Sequence, residues 1–271
     1  MMLRMLAIAS LAACVSEPDR PCSAPRPVAE LNATDGTPQY SPWLTSDGTM
    51  ILWSSRSSGG NNGVFFSTRE GVGHPFAPPK ELVPNIAGDD CFDATLTPDG
   101  TTLNYVCGDG NGGGDVYQSM FMNGTASPPV KVHPELHGIL HPSFTDDQLH
   151  VYFAVYADGD RDLYTAERAV DGDPFGTWTP LTGLNTSQNQ AGPYITPDGS
   201  TLYFQTAAYT PDGNDRIYRA TLAGGFADPT AFAGLASVAG TYDDTGWVGS
   251  DGSIVFESNR SGNIELWTAC E

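Results

Sequence analysis

Short runs of alternating apolar and polar residues occur in pairs along this chain, each pair straddling an Asp-Gly step, the pattern of an antiparallel hairpin. The first pair reads Trp43-Leu-Thr-Ser-Asp-Gly-Thr-Met-Ile-Leu-Trp53, with copies from Thr95 to Tyr105, Tyr194 to Phe204 and Trp247 to Phe256. In a further copy, Ser143 to Phe153, glutamine replaces the glycine. The turn aspartates are Asp47, Asp99, Asp147, Asp198 and Asp251, at steps of 52, 48, 51 and 53 residues, so one supersecondary unit is repeated five times.

After each hairpin comes a loop rich in Gly, Asn and Asp, then a third strand: Val64-Phe-Phe, Val116-Tyr-Gln, Leu163-Tyr-Thr, Ile217-Tyr-Arg and Leu266-Trp-Thr. The first four copies continue through a proline-containing stretch into a fourth segment, such as Phe76 to Leu82 or Phe175 to Leu181. Four antiparallel strands per unit of this length form a propeller blade. The last copy stops at its third strand, and Arg26-Pro-Val-Ala-Glu-Leu31 resembles the missing fourth. The expectation is an all-β, five-bladed β-propeller of four-stranded antiparallel blades, closed into a ring by the N-terminal strand, which hides two sheet edges. A linear array or two small sandwiches is the alternative.

The units resemble TolB-type propeller repeats, a WD-like kind. The matching pieces are Thr97-Pro-Asp-Gly100, Thr196-Pro-Asp-Gly199, Ser258-Asn-Arg-Ser-Gly-Asn263, Asp115-Val-Tyr117 and Asp162-Leu-Tyr164. The resemblance covers residues 26 to 271 and implies the propeller fold and, as such repeats generally serve, a binding platform.

Arg4, the apolar run Met5 to Ala13 and Cys14 have the form of a signal segment, too short to span a bilayer. Leu11-Ala-Ala-Cys14 resembles the bacterial lipobox, which implies lipidation of Cys14; an ordinary cleaved signal with an incidental cysteine is the alternative. Residues 1–13 are thus expected as signal peptide, 14–25 as a polar, proline-rich tether and 26–271 as the propeller. Valine rather than aspartate after Cys14 favours, by the same resemblance, outer-membrane retention. The expected location is the cell envelope, with lipid as the only membrane attachment.

The remaining four cysteines suit an oxidising compartment. Hairpin partners keep a nearly constant index sum, and Cys91 with Cys107 comes within one of the value set by the turn at Asp99-Gly100, so these two should face each other. Cys22 and Cys270 flank the ends that meet on ring closure and are expected as the second bridge. Four cysteines allow three pairings.

With 32 acidic against 12 basic residues the net charge is −20, which disfavours nucleic acid and anionic lipid surfaces. Gly108-Asp-Gly-Asn-Gly-Gly113 opens no helix and lacks the phosphate-binding context. Asp158-Gly-Asp-Arg-Asp162 begins like a calcium loop, but Leu163 and Ala169 stand where such a loop needs Gly and Glu. No Gly-x-Ser-x-Gly elbow occurs.

The repeats align Ser41, Asp93, His141, Gly192 and Thr245 at the entry to the innermost strand, with Tyr40, Phe92, Leu140, Ala191 and Asp244 one residue earlier; Asp89, Asp90, His137 and Asp243 lie in the approach loops. Tyr40, Asp90, Asp93, His141, Asp243 and Asp244 are therefore the candidate ligand site of an axial funnel, able to take a cation such as calcium or the polar face of a glycan. The competing reading is that these groups cap turns and bond neighbouring blades. No catalytic residue, resident metal or cofactor is assigned. The favoured function is a monomeric, non-enzymatic envelope lipoprotein whose propeller binds a protein or glycan; the alternative is a glycan hydrolase or lyase using the acidic funnel.

Overall fold

The computed structural model describes residues 24–57, 60–83, 89–108, 113–157, 159–235 and 238–270, and Cys14 and Cys22 lie outside them. These residues form an all-β structure whose one helical element is the 3-10 turn Leu222–Gly224. After β1 (Arg26–Pro27), the first unit holds β2 (Gln39–Leu44), β3 (Met50–Arg56), β4 (Asn62–Thr68) and β5 (Lys80–Val83). The second holds β6 (Asp90–Leu96), β7 (Thr102–Gly108), β8 (Gly114–Met122), β9 (Thr125–Ala126) and β10 (Val130–Lys131). The third is β11 (His137–Phe144), β12 (His150–Ala157), β13 (Asp160–Glu167) and β14 (Thr179–Pro180); the fourth is β15 (Gln190–Ile195), β16 (Thr201–Thr206), β17 (Arg216–Thr221) and β18 (Thr230–Ala231). The last is β19 (Asp243–Val248), β20 (Ser253–Ser258) and β21 (Glu265–Cys270), completed by β1 on β21.

Each unit is an antiparallel meander, but the second and third are joined into one sheet because β8 pairs with β11. Glycine permits this approach: a Cβ on Gly113 would lie 2.5 Å from the carbonyl of Gly138. The inner strands pack side by side, β2 on β6, β6 on β11, β11 on β15, β15 on β19 and β19 on β2.

One column of aromatics fills the interior. Trp53, Tyr105, Phe153, Phe204 and Phe256, one on each second strand, are fully buried. Each pairs across the ladder with an aromatic of the third strand: Phe65, Tyr117, Tyr164, Tyr218 and Trp267. Such cross-strand pairs contribute about 0.2–1 kcal/mol each.

The Asp-Gly steps lie in four-residue turns rather than at two-residue tips. Gly48 N–H donates to the Thr45 oxygen at 2.8 Å, Thr45 N–H donates to Met50 at 2.9 Å, and the glycine has φ of 68°. Gln148 takes the same left-handed conformation, φ 59°, where the glycine is missing. The turn aspartates accept hydrogen bonds from the flanking Thr or Ser, which holds the Asp47, Asp99, Asp147 and Asp198 carboxyls below their ordinary range. The two-residue hairpin instead occurs at Asn123-Gly124, both at positive φ, joining β8 to β9.

The N-terminal segment serves the last unit as an internal connection serves the third. Asn32 accepts from Leu266 N–H at 2.9 Å and donates to its oxygen at 3.1 Å, while Asn185 makes the same two bonds to Leu163, at 2.9 and 3.0 Å. Cys91 and Cys107 face each other across the second hairpin and form a disulfide. Cys270 is also disulfide-bonded, to a partner outside the described residues.

Candidate functional site

Every inner strand carries one extra residue, between Tyr40 and Trp43, Phe92 and Thr95, Leu140 and Ser143, Ala191 and Tyr194, and Asp244 and Trp247. Inside these bulges Ser41, Asp93, His141 and Gly192 have φ of 49°, 57°, 53° and 56°. A left-handed residue with a side chain costs roughly 1–2 kcal/mol, and hydrogen bonds between units offset it. Asp93 N–H donates to Ser54 Oγ at 3.2 Å, His141 N–H to Asp93 Oδ2 at 2.8 Å and Ser41 N–H to Glu257 Oε2 at 2.8 Å. Four of the five aligned positions thus share one left-handed backbone conformation, and at three of them the backbone N–H binds a side chain of the neighbouring unit.

At the level just before the bulges, Asp244 of β19 lies opposite Glu257 of β20, and their carboxyl groups hydrogen-bond to each other. Burial pushes the Glu257 carboxyl up to about 7. Burial and then the neighbouring Glu257 charge raise Asp244 well above the usual carboxylate range. Both carboxyls of this pair are thus held towards their neutral forms, by burial first and by each other's charge at Asp244. Burial, followed by the Glu257 charge, also raises the hydroxyls of Tyr40 and Tyr242.

Asp93 stands with His141 rather than with Tyr40: Oδ1 lies 3.9 Å from Nδ1, and burial holds the imidazole below its ordinary range against the opposing pull of that carboxylate. The other two candidate carboxylates are bound to their own surroundings. Asp90 accepts from Asn62 N–H at 2.5 Å. Asp243, fully buried, accepts from Arg260 Nε at 2.8 Å and Nη2 at 2.5 Å, and from Ser258 Oγ at 2.8 Å. Among the described residues no group of three or more His, Cys, Asp or Glu could hold a metal ion.

Two adjoining cavities lie along the inner strands. The bulges line a small one of about 50 Å³ that includes Ser41, Asp93, His141 and Gly192. Towards the Asp-Gly turns it shares Trp43, Thr95, Ser143 and Tyr194 with a funnel of about 430 Å³. The first, fourth and fifth units, adjacent in the ring of inner strands, give this funnel Trp43, Tyr194 and Trp247; the second and third give it Thr95, Asn104, Ser143, Asp146 and Gln148, and Asp47 and Asp99 also line it.

No protein-family model and no curated protein sequence matches the chain. Solved structures do. The putative TolB of Agrobacterium tumefaciens is similar with a TM-score of 0.52 at 18% identity, over 82% of this chain and 70% of that one. TolB of Acinetobacter baumannii is similar with a TM-score of 0.52 at 16% identity, over 82% of this chain but only 50% of that protein's length. The fold is a TolB-like β-propeller.

In this propeller, two features of the axis lie beyond the aligned bulge positions. Glu257, with Gln205 and Tyr242 beside Asp244, belongs to the inner polar cluster, although it stands on a second strand rather than a first. Its signal was a lone carboxylate in the apolar run Ile254-Val-Phe-Glu257, at an index opposite Asp244. The aromatic side of the funnel was visible in the first letter of each repeat, where Trp43, Tyr194 and Trp247 occupy one column with Thr95 and Ser143.

Proposed function

We propose that the chain is a five-bladed propeller, closed by its N-terminal strand, that acts as a non-enzymatic binding platform for a protein or glycan of the bacterial cell envelope. The β1 pairing with β21 and the Asn32 bonds to Leu266 support closure. The disulfide of Cys270 supports a bridge to Cys22 across the seam. On this reading residues 1–13 are a signal peptide, Cys14 carries the lipid anchor, 14–25 are a tether, and the propeller faces the periplasm as a monomer, held at the outer membrane. Among the described residues no helix is long and apolar enough to cross a membrane.

The observation that carries the non-enzymatic reading is that the candidate carboxylates are already engaged by the protein. Asp90, Asp93 and Glu257 accept backbone N–H groups, and Asp243 is held by Arg260. Asp244 and Glu257 bond directly to each other, whereas glycoside hydrolysis needs carboxyl groups about 5 Å apart for retention and roughly 6.5 to 9.5 Å for inversion. A bound calcium or other cation remains a proposal for the His141 and Asp93 side of the axis.

The test is a pull-down from detergent-solubilised envelope with the lipidated protein, run beside an assay for reducing ends and unsaturated sugars released from envelope glycans. The platform reading expects a stoichiometric partner and no product. Product formation abolished by Glu257→Gln would replace it with the hydrolase or lyase reading.

A further inference from the structure

The funnel at the Asp-Gly turns is built with two unlike sides. Trp43, Tyr194 and Trp247 come from three adjacent units. Tyr194 is fixed by its hydroxyl, which donates to the Val248 oxygen at 3.0 Å, and Trp43 packs at the meeting of two core clusters. These rings are held by the core, so little side-chain freedom is lost when something stacks on them. Phe144 also lines the funnel, but its ring packs outward on His133 and Phe175 at 6.5 and 6.1 Å.

The facing side has hydrogen-bonding capacity left over. Asn104 accepts from Gln118 Nε2 at 2.8 Å through its carbonyl, which leaves its amide N–H groups. Gln148 donates Nε2 to the Thr145 oxygen at 2.9 Å, which leaves its carbonyl. Ser143 Oγ accepts from Ile195 N–H at 3.0 Å and keeps its own hydrogen to donate. Asp146 is exposed, and its proximity helps raise the Tyr194 hydroxyl. No Lys, Arg or His lines the funnel, so nothing there would neutralise a phosphate or carboxylate.

A sugar ring has apolar C–H faces and a belt of hydroxyls that both give and accept hydrogen bonds, and it matches one rigid aromatic side opposite one mixed donor and acceptor side. A volume of about 430 Å³ is within the usual range of small-ligand sites. We propose that this funnel is a carbohydrate-binding site for a neutral sugar ring, stacked on the partly exposed Trp43, which the buried Tyr194 and Trp247 flank, and hydrogen-bonded from Asn104, Ser143, Gln148 and Asp146. This rests on the platform reading and names the ligand class of its axial face.

The experiment is a glycan array of neutral and anionic glycans, followed by tryptophan-fluorescence titration of the folded protein with the best neutral binder and with maltotriose, cellotriose and chitotriose. At least one neutral glycan should bind and anionic ones should not. Trp43→Ala should weaken binding by about tenfold, whereas Trp43→Phe should stay within about threefold. Asp146→Asn, on the surface, should weaken binding about threefold to tenfold with the melt unchanged, which keeps the test valid if Trp43→Ala misfolds. An array with no neutral binder, or affinities indifferent to both Trp43→Ala and Asp146→Asn, overturns the sugar site. Capture of an envelope protein without glycan binding would overturn it too while leaving the platform reading standing; sugar binding with Glu257-dependent turnover would sustain the site and defeat the platform.

Discussion

Glu257 gives the most demanding test of how the axis is built. Its side chain is 7% exposed, and burial moves its carboxyl from 4.5 to about 7 in spite of the hydrogen bonds from Ser41 and Asp244 that favour the ionised form. A carboxyl raised on folding binds its proton more tightly in the native than in the unfolded chain. Stability from this group is therefore full below pH 4.5 and falls as pH rises towards 7. A displacement of this size corresponds to on the order of 3 kcal/mol lost by the time pH exceeds 7. His133 and His141, held below 6.5 by burial, act with the opposite sign, since their contribution is lost as pH falls. The readout is thus the difference between wild type and Glu257→Gln, from urea midpoints between pH 5 and 8. Glutamine keeps an acceptor for Ser41 N–H, so the variant should gain on the wild type steadily with pH and surpass it above pH 7. Parallel curves for the two proteins would refute the buried, proton-sharing pair.

Asp243→Asn removes the buried carboxylate that pairs with Arg260, whose side chain is 7% exposed, and should cost on the order of 3 kcal/mol in urea unfolding. Cys270→Ser should lower the melting temperature more than the double change Cys91→Ser, Cys107→Ser, because the local bridge spans only 16 positions and contributes about 3 kcal/mol, against on the order of 4–5 for a loop of nearly the whole chain. Peptide mapping that found Cys270 joined to any cysteine but Cys22 would refute the seam bridge. Cys14→Ser should release the protein from membranes or block its processing, and a mature chain lacking lipid by mass spectrometry would refute the anchor.

The repeat was legible because a hairpin is a local object: turn chemistry and alternation lie within a dozen residues, and each of the five copies supports the others. The Cys91 and Cys107 facing shows how far this reaches. Pairing near the turn runs Leu96 to Leu103, and the bulge between Phe92 and Thr95 removes one position from the index sum, which brings Cys91 opposite Cys107. What the alternation does not carry is contact between units. The β8 to β11 pairing depends on two glycines 25 residues apart, Gly113, where a Cβ would strike the backbone of Gly138, and Gly138 itself, which turns through a φ of 65°. The polar cluster was half visible for the same reason: the repeats place Asp93 and Asp244 on inner strands, but their partners His141 N–H and Glu257 are set by how neighbouring strands meet.

The axial face at the Asp-Gly turns is the proposed binding surface. Its most direct test is hydrogen–deuterium exchange of the mature protein, alone and with envelope extract. Protection should be confined to the turns around Asp47, Asp146 and Asp198 and to the strands that carry Trp43, Tyr194 and Trp247. Protection confined to the opposite loops or the outer rim, with these turns exchanging as in the free protein, would contradict it.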